Sequence, residues 1–290
     1  MTRRPRPAKV RGSSFLLLNK ATILARRPLA LITGASAGLG AAFARAYAAR
    51  GHDLVLVARR LDRLEALGAE MTQAHGVQSQ AIACDLGGFE AHRKVLDALG
   101  DRVESVDVLV NNAGFGIAEE FDAVPWERQR EFLMTLIVSA CGLTHGIIPG
   151  MKARRSGAII NLASLAGFAP GVAGHSLYPA AKSFAIKFSE ALQAELGGHG
   201  IKVTASCPGF TRTEFHLANG TQAQMDAAPR FFWQSAEEVV RGTLEANDRN
   251  RTIYVPGLHN KLAAWSLQYL PHGLVRALIR RGAEKYRPKT

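Results

Sequence analysis

Tyr178 and Lys182 stand four residues apart in Tyr178-Pro179-Ala180-Ala181-Lys182, a spacing that puts both side chains on one face of a helix. A tyrosine with an ordinary pKa of about 10 is a poor acid–base group near neutrality. An ammonium beside it favours the phenolate and pulls that value down. Such pairs also occur by chance on surface helices, so the neighbourhood decides. Ser164 closes Asn161-Leu162-Ala163-Ser164, just past an apolar run, where its hydroxyl can meet the same reacting oxygen. His175, three residues before Tyr178, is either a pocket residue or a solvated loop histidine. The chemistry suggested is proton transfer at an oxygen.

Seven short apolar runs have to position these groups: 29–33, 54–58, 80–84, 106–110, 158–162, 202–206 and 252–255. Helical stretches separate them, the first a small-residue segment over 39–50. Continuous rather than alternating apolar strands with helices between them predict a parallel sheet covered on both faces. No tandem repeat or long Pro/Ser-rich linker divides the chain, so one domain is expected. Ligands of such sheets bind beyond the carboxyl ends of the strands.

At the first of those ends stands Thr33-Gly34-Ala35-Ser36-Ala37-Gly38-Leu39-Gly40. Glycines so spaced let the chain turn sharply and let a dinucleotide pyrophosphate approach the free N–H groups and positive dipole end of the next helix. A tight turn without a ligand is the alternative. The second run ends in Arg59 and Arg60, where an NAD enzyme usually carries Asp or Glu. Arginines there can pair with the 2′-phosphate of NADP, or simply begin a solvated helix with Asp62 and Arg63. Asp85, closing the third run, can accept hydrogen bonds from an adenine or cap a helix. After the sixth run, Pro208-Gly209-Phe210-Thr211-Arg212-Thr213 offers backbone and hydroxyl groups to a carboxamide.

Taken together, residues 29–256 resemble the short-chain dehydrogenase/reductase family. The shared motifs stand in family order: the Thr33–Gly40 turn, Asp85, Asn111-Asn112-Ala113-Gly114, Ser164, Tyr178/Lys182 and Pro208-Gly209. The resemblance implies a Rossmann-type, doubly wound parallel sheet in three α/β/α layers, and a nicotinamide cofactor, NADP(H) rather than NAD(H). It implies that Tyr178 exchanges a proton with the substrate oxygen and that Ser164 orients that oxygen. Lys182 would hold the nicotinamide ribose and lower the tyrosine pKa. Asn111, Asn112 and Gly114 would lie by the central strand near the adenosine half, and Thr211 and Thr213 near the carboxamide and diphosphate. One position departs from the pattern: Leu136 stands where many members carry an asparagine that holds a water joining the lysine to solvent. That departure keeps a weakly catalytic nucleotide-binding protein open as the competing reading.

The remaining features bound the setting. The net charge of +12 resides in the ends: residues 1–28 hold eight Lys/Arg and no acid, residues 249–290 nine against Glu284, leaving 19 bases and 23 acids between them. No basic face with interleaved aromatics marks the body, so nucleic acid is not an expected partner. The three cysteines, Cys84, Cys141 and Cys207, lack disulfide or metal-site spacing and suit a reducing compartment, so a cytoplasmic setting without a metal is expected. No uninterrupted apolar run approaches the roughly 20 residues of a spanning helix. Phe115, Phe168 and Phe215 mark an apolar substrate pocket that suits a hydrophobic ketone, aldehyde or secondary alcohol, and 214–233 reads as a cover over it. Residues 1–28 form a basic extension, 29–258 the catalytic domain and 259–290 a basic amphipathic tail. In that tail Leu258, Leu262, Trp265 and Tyr269 fall at helical spacing, a stripe fit for an anionic membrane surface, for the enzyme body or for a second subunit. A homodimer or homotetramer is expected.

Overall fold

The structure, a computed structural model, describes residues 26–117, 119–171, 173, 176–214, 230–271, 273–275 and 277. Seven strands build the main sheet: β1 (Leu29–Thr33), β2 (Asp53–Ala58), β3 (Ser79–Ala83), β4 (Val106–Asn111), β5 (Gly157–Leu162), β6 (Ile201–Ser206) and β9 (Ile253–Tyr254). All pair in parallel, in the order β3-β2-β1-β4-β5-β6-β9. Each expected run is found within a residue or two of its place, because continuous apolar runs satisfy a sheet buried on both faces.

Side chains alternate between the two faces, as the pleat requires. Ala30, Ile32, Leu54 and Leu56 pack on one side with Phe43 of α1 (Gly38–Ala49), Leu64 of α2 (Leu61–His75) and Val240 of α7 (Ala236–Asp248). Leu31, Val55, Val57 and Leu109 pack on the other with Val95 of α3 (Ala91–Leu99), Ile147 of α5 (Ser139–Arg154) and Leu192 of α6 (Leu177–Leu196). Full burial of each such Leu, Val or Ile contributes about 1.5–3 kcal/mol. The result is the three-layer, doubly wound single domain that the sequence predicts.

Helix α4 (Trp126–Leu133) runs through a π turn at Met134–Val138 into α5. The continuous helix Trp126–Arg154 is 29 residues and, by length and composition, apolar enough to cross a bilayer, although Thr135, Ser139, Thr144 and His145 interrupt its apolar run. Phe132, Leu143, Ile147 and Met151 form its fully buried face, while most of the apolar stretch is only partly buried. A short parallel pair, β7 (Thr211–Arg212) with β8 (Gln234–Ser235), and helix α8 (Leu258–Tyr269) complete the part that surrounds the site.

The chain winds outward from β1 to β3, then returns to β4 and winds the other way. This reversal between β1 and β4 opens a crevice at the carboxyl ends of the strands.

Candidate active site

Hydrogen bonds lock the two strands at the reversal. Thr33 Oγ1 accepts from the backbone N–H groups of Asn112 at 2.9 Å and Ala113 at 3.0 Å, and Asn112 Nδ2 donates to Thr33 O at 2.8 Å. The chain then leaves β1 through the glycine turn. Gly38 has φ +55°, and a Cβ on Gly40 would lie 2.1 Å from Gly34 O, so a side chain is strained at the first and excluded at the second. Ala37, at the cap of α1, is extended and offers no side-chain acceptor. The N–H groups opening α1 are therefore left for an anion.

A cavity of about 870 Å³ opens over these groups. On the β1–β3 side its walls are Gly34, Ser36, Ala37, Gly38, Leu39, Arg59, Arg60 and Asp85; on the β5–β6 side they are Ser164, Tyr178, Lys182, Pro208, Gly209 and Thr211. Asn112, Gly114 and Thr213 line it between. Arg60 Nη2 donates to Ser36 Oγ at 3.0 Å, which ties the end of β2 to the glycine turn. Asp85 Oδ1 accepts from the Gly87 N–H at 3.0 Å, so its carboxylate holds its own loop.

The reactive groups meet on the far side. Ser164 is extended past β5 and caps the 3₁₀ turn Leu165–Phe168, its Oγ accepting from Ala166 N at 3.1 Å. The Ser164 hydroxyl also shares a hydrogen bond with the Tyr178 phenol. Helix α6 carries Tyr178 and Lys182 on the face turned to the cavity, as their spacing predicts. Lys182 is 8% exposed, its Nζ donating to Leu162 O at 2.6 Å and lying 5.6 Å from the Tyr178 ring centre. The electrostatics differ from the expected pattern. Burial pushes the Tyr178 phenol above its ordinary value, against the smaller effect of the Ser164 hydrogen bond. Burial also holds Lys182 down, to about 8. Desolvation disfavours both charged forms, so the tyrosine is a neutral phenol in the free protein rather than a readily formed phenolate.

Other expected residues divide. Phe115 lines the cavity, edge-on to Phe132 at 5.5 Å and with the Arg128 guanidinium 4.1 Å from its ring centre. Phe168 does not line it. It packs against Ala163, Ile186, Ala205 and Cys207, because the 3₁₀ turn directs it into the core. Gly40 is buried at the turn and serves close approach of backbone rather than contact with the cavity. Asn111 is also buried; its Nδ2 donates to Thr144 Oγ1 at 3.0 Å and Asn161 Oδ1 at 2.9 Å, which braces β4 against β5. His175 and Phe215 lie outside the described residues, as do 215–229 of the expected cover.

Leu136 sits in the π turn, 9% exposed, packed with Phe132 and Ala181. It lines a second, small cavity of about 20 Å³ together with Lys182 and Asn111, whose Oδ1 has no hydrogen-bond partner. That volume admits about one water. The leucine has thus not filled the space behind the lysine.

Helix α8 supplies a wall that the sequence pattern does not reveal. His259, Asn260, Ala263 and Leu267 face the large cavity beside Phe232, Phe210, Ala169 and Pro170. The stripe Leu258, Leu262, Trp265 and Tyr269 is 58–73% exposed on its opposite side. Residues 258–269 therefore belong to the site and are not merely a tail. Among the described residues, no group of three or more His, Cys, Asp or Glu could hold a metal.

Known proteins resemble this chain in sequence and fold. A family model described as short chain dehydrogenase matches residues 28–224. A serine 3-dehydrogenase of Agrobacterium fabrum is 36% identical over 231 residues, covering 77% of this chain and 85% of its own. Among solved structures, a short-chain dehydrogenase from Sphingobium yanoikuyae in complex with NADPH superposes with a TM-score of 0.74 at 33% identity, covering 91% of this chain and 97% of its own. The bulky-bulky ketone specific alcohol dehydrogenase of Comamonas testosteroni does so with 0.70 at 28%, covering 91% and 96%. On both sequence and fold, the chain belongs to the short-chain dehydrogenases and is a nucleotide-binding oxidoreductase acting on CH–OH or C=O groups.

Proposed function

We propose that the protein is an NADP(H)-dependent reductase of a hydrophobic ketone or aldehyde, with the corresponding secondary or primary alcohol as product. The observation that carries this reading is the hydrogen-bonded Ser164–Tyr178 pair, with its neutral phenol, opening on a cavity walled by Phe115, Phe210, Phe232, Ala263 and Leu267. The residues fit a nicotinamide dinucleotide. The α1 amino end has no side-chain cap, a Cβ at Gly40 would block the turn, and about 870 Å³ is available. Gly38, Leu39 and Thr213 would hold the pyrophosphate, Arg59 and Arg60 a 2′-phosphate, and Lys182 the nicotinamide ribose. When bound, the nicotinamide supplies or takes the hydride. The chain's own residues do the rest. Ser164 donates to the carbonyl oxygen and orients it, the Tyr178 hydroxyl hands it a proton, and the apolar walls keep bulk water from that oxygen. Charged Lys182 stabilises the phenolate left behind.

The test is NADPH consumption by the purified protein on medium and long apolar ketones and aldehydes, against NADP⁺ reduction on serine and other small polar alcohols. Apolar compounds are expected to lead in kcat/KM by at least about tenfold, the size of discrimination one or two extra methylenes supply. A lead for serine or another small polar compound would overturn the substrate class.

Two surfaces support further partners. The outer side of Trp126–Arg154, with Trp126 57% and Val138 39% exposed, supports association with a second copy of the chain. The exposed stripe of α8 is followed in sequence by Arg276, Arg280, Arg281, Lys285, Arg287 and Lys289; apolar residues including Trp and Tyr beside positive charge support contact with an anionic lipid surface. Leu262→Glu with Trp265→Glu is expected to abolish co-sedimentation with phosphatidylserine vesicles. Unchanged sedimentation of that variant would remove the lipid contact.

A further inference from the structure

In the free protein the arginines at the end of the cofactor cavity already hold a carboxylate. Arg63 Nη1 donates to both oxygens of Glu214, at 3.0 and 3.1 Å. Arg60 Nη1 lies 3.6 Å from the same carboxylate, while its Nη2 reaches Ser36. Arg60, Ser36 and Glu214 all line the cavity. Glu214 is 151 positions from Arg63 in sequence and comes from the opposite side of the crevice, just beyond β7. Its neighbour Thr213 packs on the glycine turn, where a Cβ on Gly38 would lie 3.0 Å from Thr213 Cβ. The chain therefore spans from the β6 side to the β2 side at the point where Arg59 and Arg60 await a 2′-phosphate.

A carboxylate gripped by guanidinium groups has the chemistry of a smaller phosphate: coplanar acceptor oxygens and a negative charge. It differs in amount of charge, one unit against about 1.5–2 for a phosphate monoester at neutral pH. A 2′-phosphate arriving beside Arg60 meets a like charge until Glu214 gives way. A 2′-hydroxyl carries no charge and leaves the Glu214 pairs intact.

We propose that Glu214 is an internal competitor for the 2′-phosphate, occupying Arg60 and Arg63 until NADP(H) displaces it, and so is a specificity-determining residue that weakens NADP(H) binding selectively. The proposal rests on the reading of the β2-end arginines as 2′-phosphate contacts. Its effect is bounded by exposure: the carboxylate and both guanidinium groups are 42–52% exposed, and exposed pairs contribute little each and weaken in salt.

The experiment measures dissociation constants of NADPH, NADH, 2′,5′-ADP and 5′-ADP for the full chain and for Glu214→Gln, by cofactor fluorescence and calorimetry at low and high salt. Glu214→Gln is expected to tighten NADPH and 2′,5′-ADP about three- to tenfold, the size two exposed ion pairs account for. NADH and 5′-ADP should stay within about twofold, which also reports a folded site, and the gain should shrink at high salt. In an Arg60→Ala, Arg63→Ala background the same substitution should change nothing. Equal tightening of all four ligands would mean a general charge effect and overturn the proposal. So would unchanged or weaker NADPH binding. Arg60→Ala separates the two readings: if it weakens 2′,5′-ADP while Glu214→Gln changes nothing, the competitor falls and the arginine reading stands. If Arg60→Ala leaves 2′,5′-ADP unchanged, both fall.

Discussion

Tyr178→Phe is expected to lower kcat for carbonyl reduction by about 10²–10⁴-fold, the usual contribution of a positioned general acid, while NADPH binding stays within about twofold. The phenylalanine keeps the ring that packs between Ala181, Phe132 and Leu136 and removes only the hydroxyl. Among the described residues, Tyr178 is the titratable side chain that shares a hydrogen bond with Ser164, which makes its hydroxyl the proton donor of the proposed reduction. The pH dependence has a definite sign. Reduction requires a neutral Tyr178, and burial raises its pKa in the free protein, so the phenol is ready across neutral pH. Lys182 must carry its charge to stabilise the phenolate, and burial has brought it down to about 8. Below that value the ammonium is present; above it the charge is lost. The parent kcat/KM for NADPH, which reports the free enzyme, should therefore fall as pH rises through about 8. Stopped-flow and steady-state rates with the best apolar ketone measure both effects. Retention of more than a tenth of the parent kcat in the Phe variant would remove the tyrosine as acid, and a flat profile from pH 7 to 9 would remove the lysine charge from the step.

The glycine turn and the shared helix face of Tyr178 and Lys182 are legible in the sequence because each depends on local spacing, whereas the contact of Ser164 with Tyr178 is made by the fold. Two residues four apart on any helix share a face, and a glycine between an apolar run and a helix marks a strand-to-helix turn wherever the fold places it. Phe168 was out of reach for the opposite reason: the direction of one side chain on a 3₁₀ turn is settled by what packs there, and Ile186 and Ala205 claimed it. The tyrosine pKa likewise depends on burial, which no spacing encodes and which dominates in the free protein. Helix α8 shows its stronger pattern on the wrong side for the site. Its conspicuous apolar residues, Leu258, Leu262, Trp265 and Tyr269, face outward, and the weaker pattern of His259, Asn260, Ala263 and Leu267 faces the cavity. Periodicity identifies the helix and its two faces; which face turns inward is decided by tertiary contact. Arg63 and Glu214 were invisible as a pair because they are far apart in sequence and joined only by the fold.

Arg59→Asp carries the second large effect: NADPH affinity should fall about 10–100-fold while NADH affinity rises a few-fold. A charge-assisted hydrogen bond contributes about 1.5–3 kcal/mol, and each 1.4 kcal/mol is about tenfold in affinity. The substitution removes one such contact and adds a carboxylate that repels the 2′-phosphate. The same carboxylate, directly after β2, can accept from both ribose hydroxyls of NADH, which is the arrangement NAD enzymes use. Arg60 then remains, bonded to Ser36 at 3.0 Å and shared with Glu214. Because NADP(H) must first take that arginine from Glu214, Arg60 should make good only part of the loss at Arg59, and Arg60→Ala should weaken NADPH less than Arg59→Asp. Fluorescence titration of both cofactors gives the ratio directly. A variant that keeps the parent's NADPH-to-NADH ratio would show that the arginines serve only to open α2, and the cofactor preference would then have to come from elsewhere in the cavity.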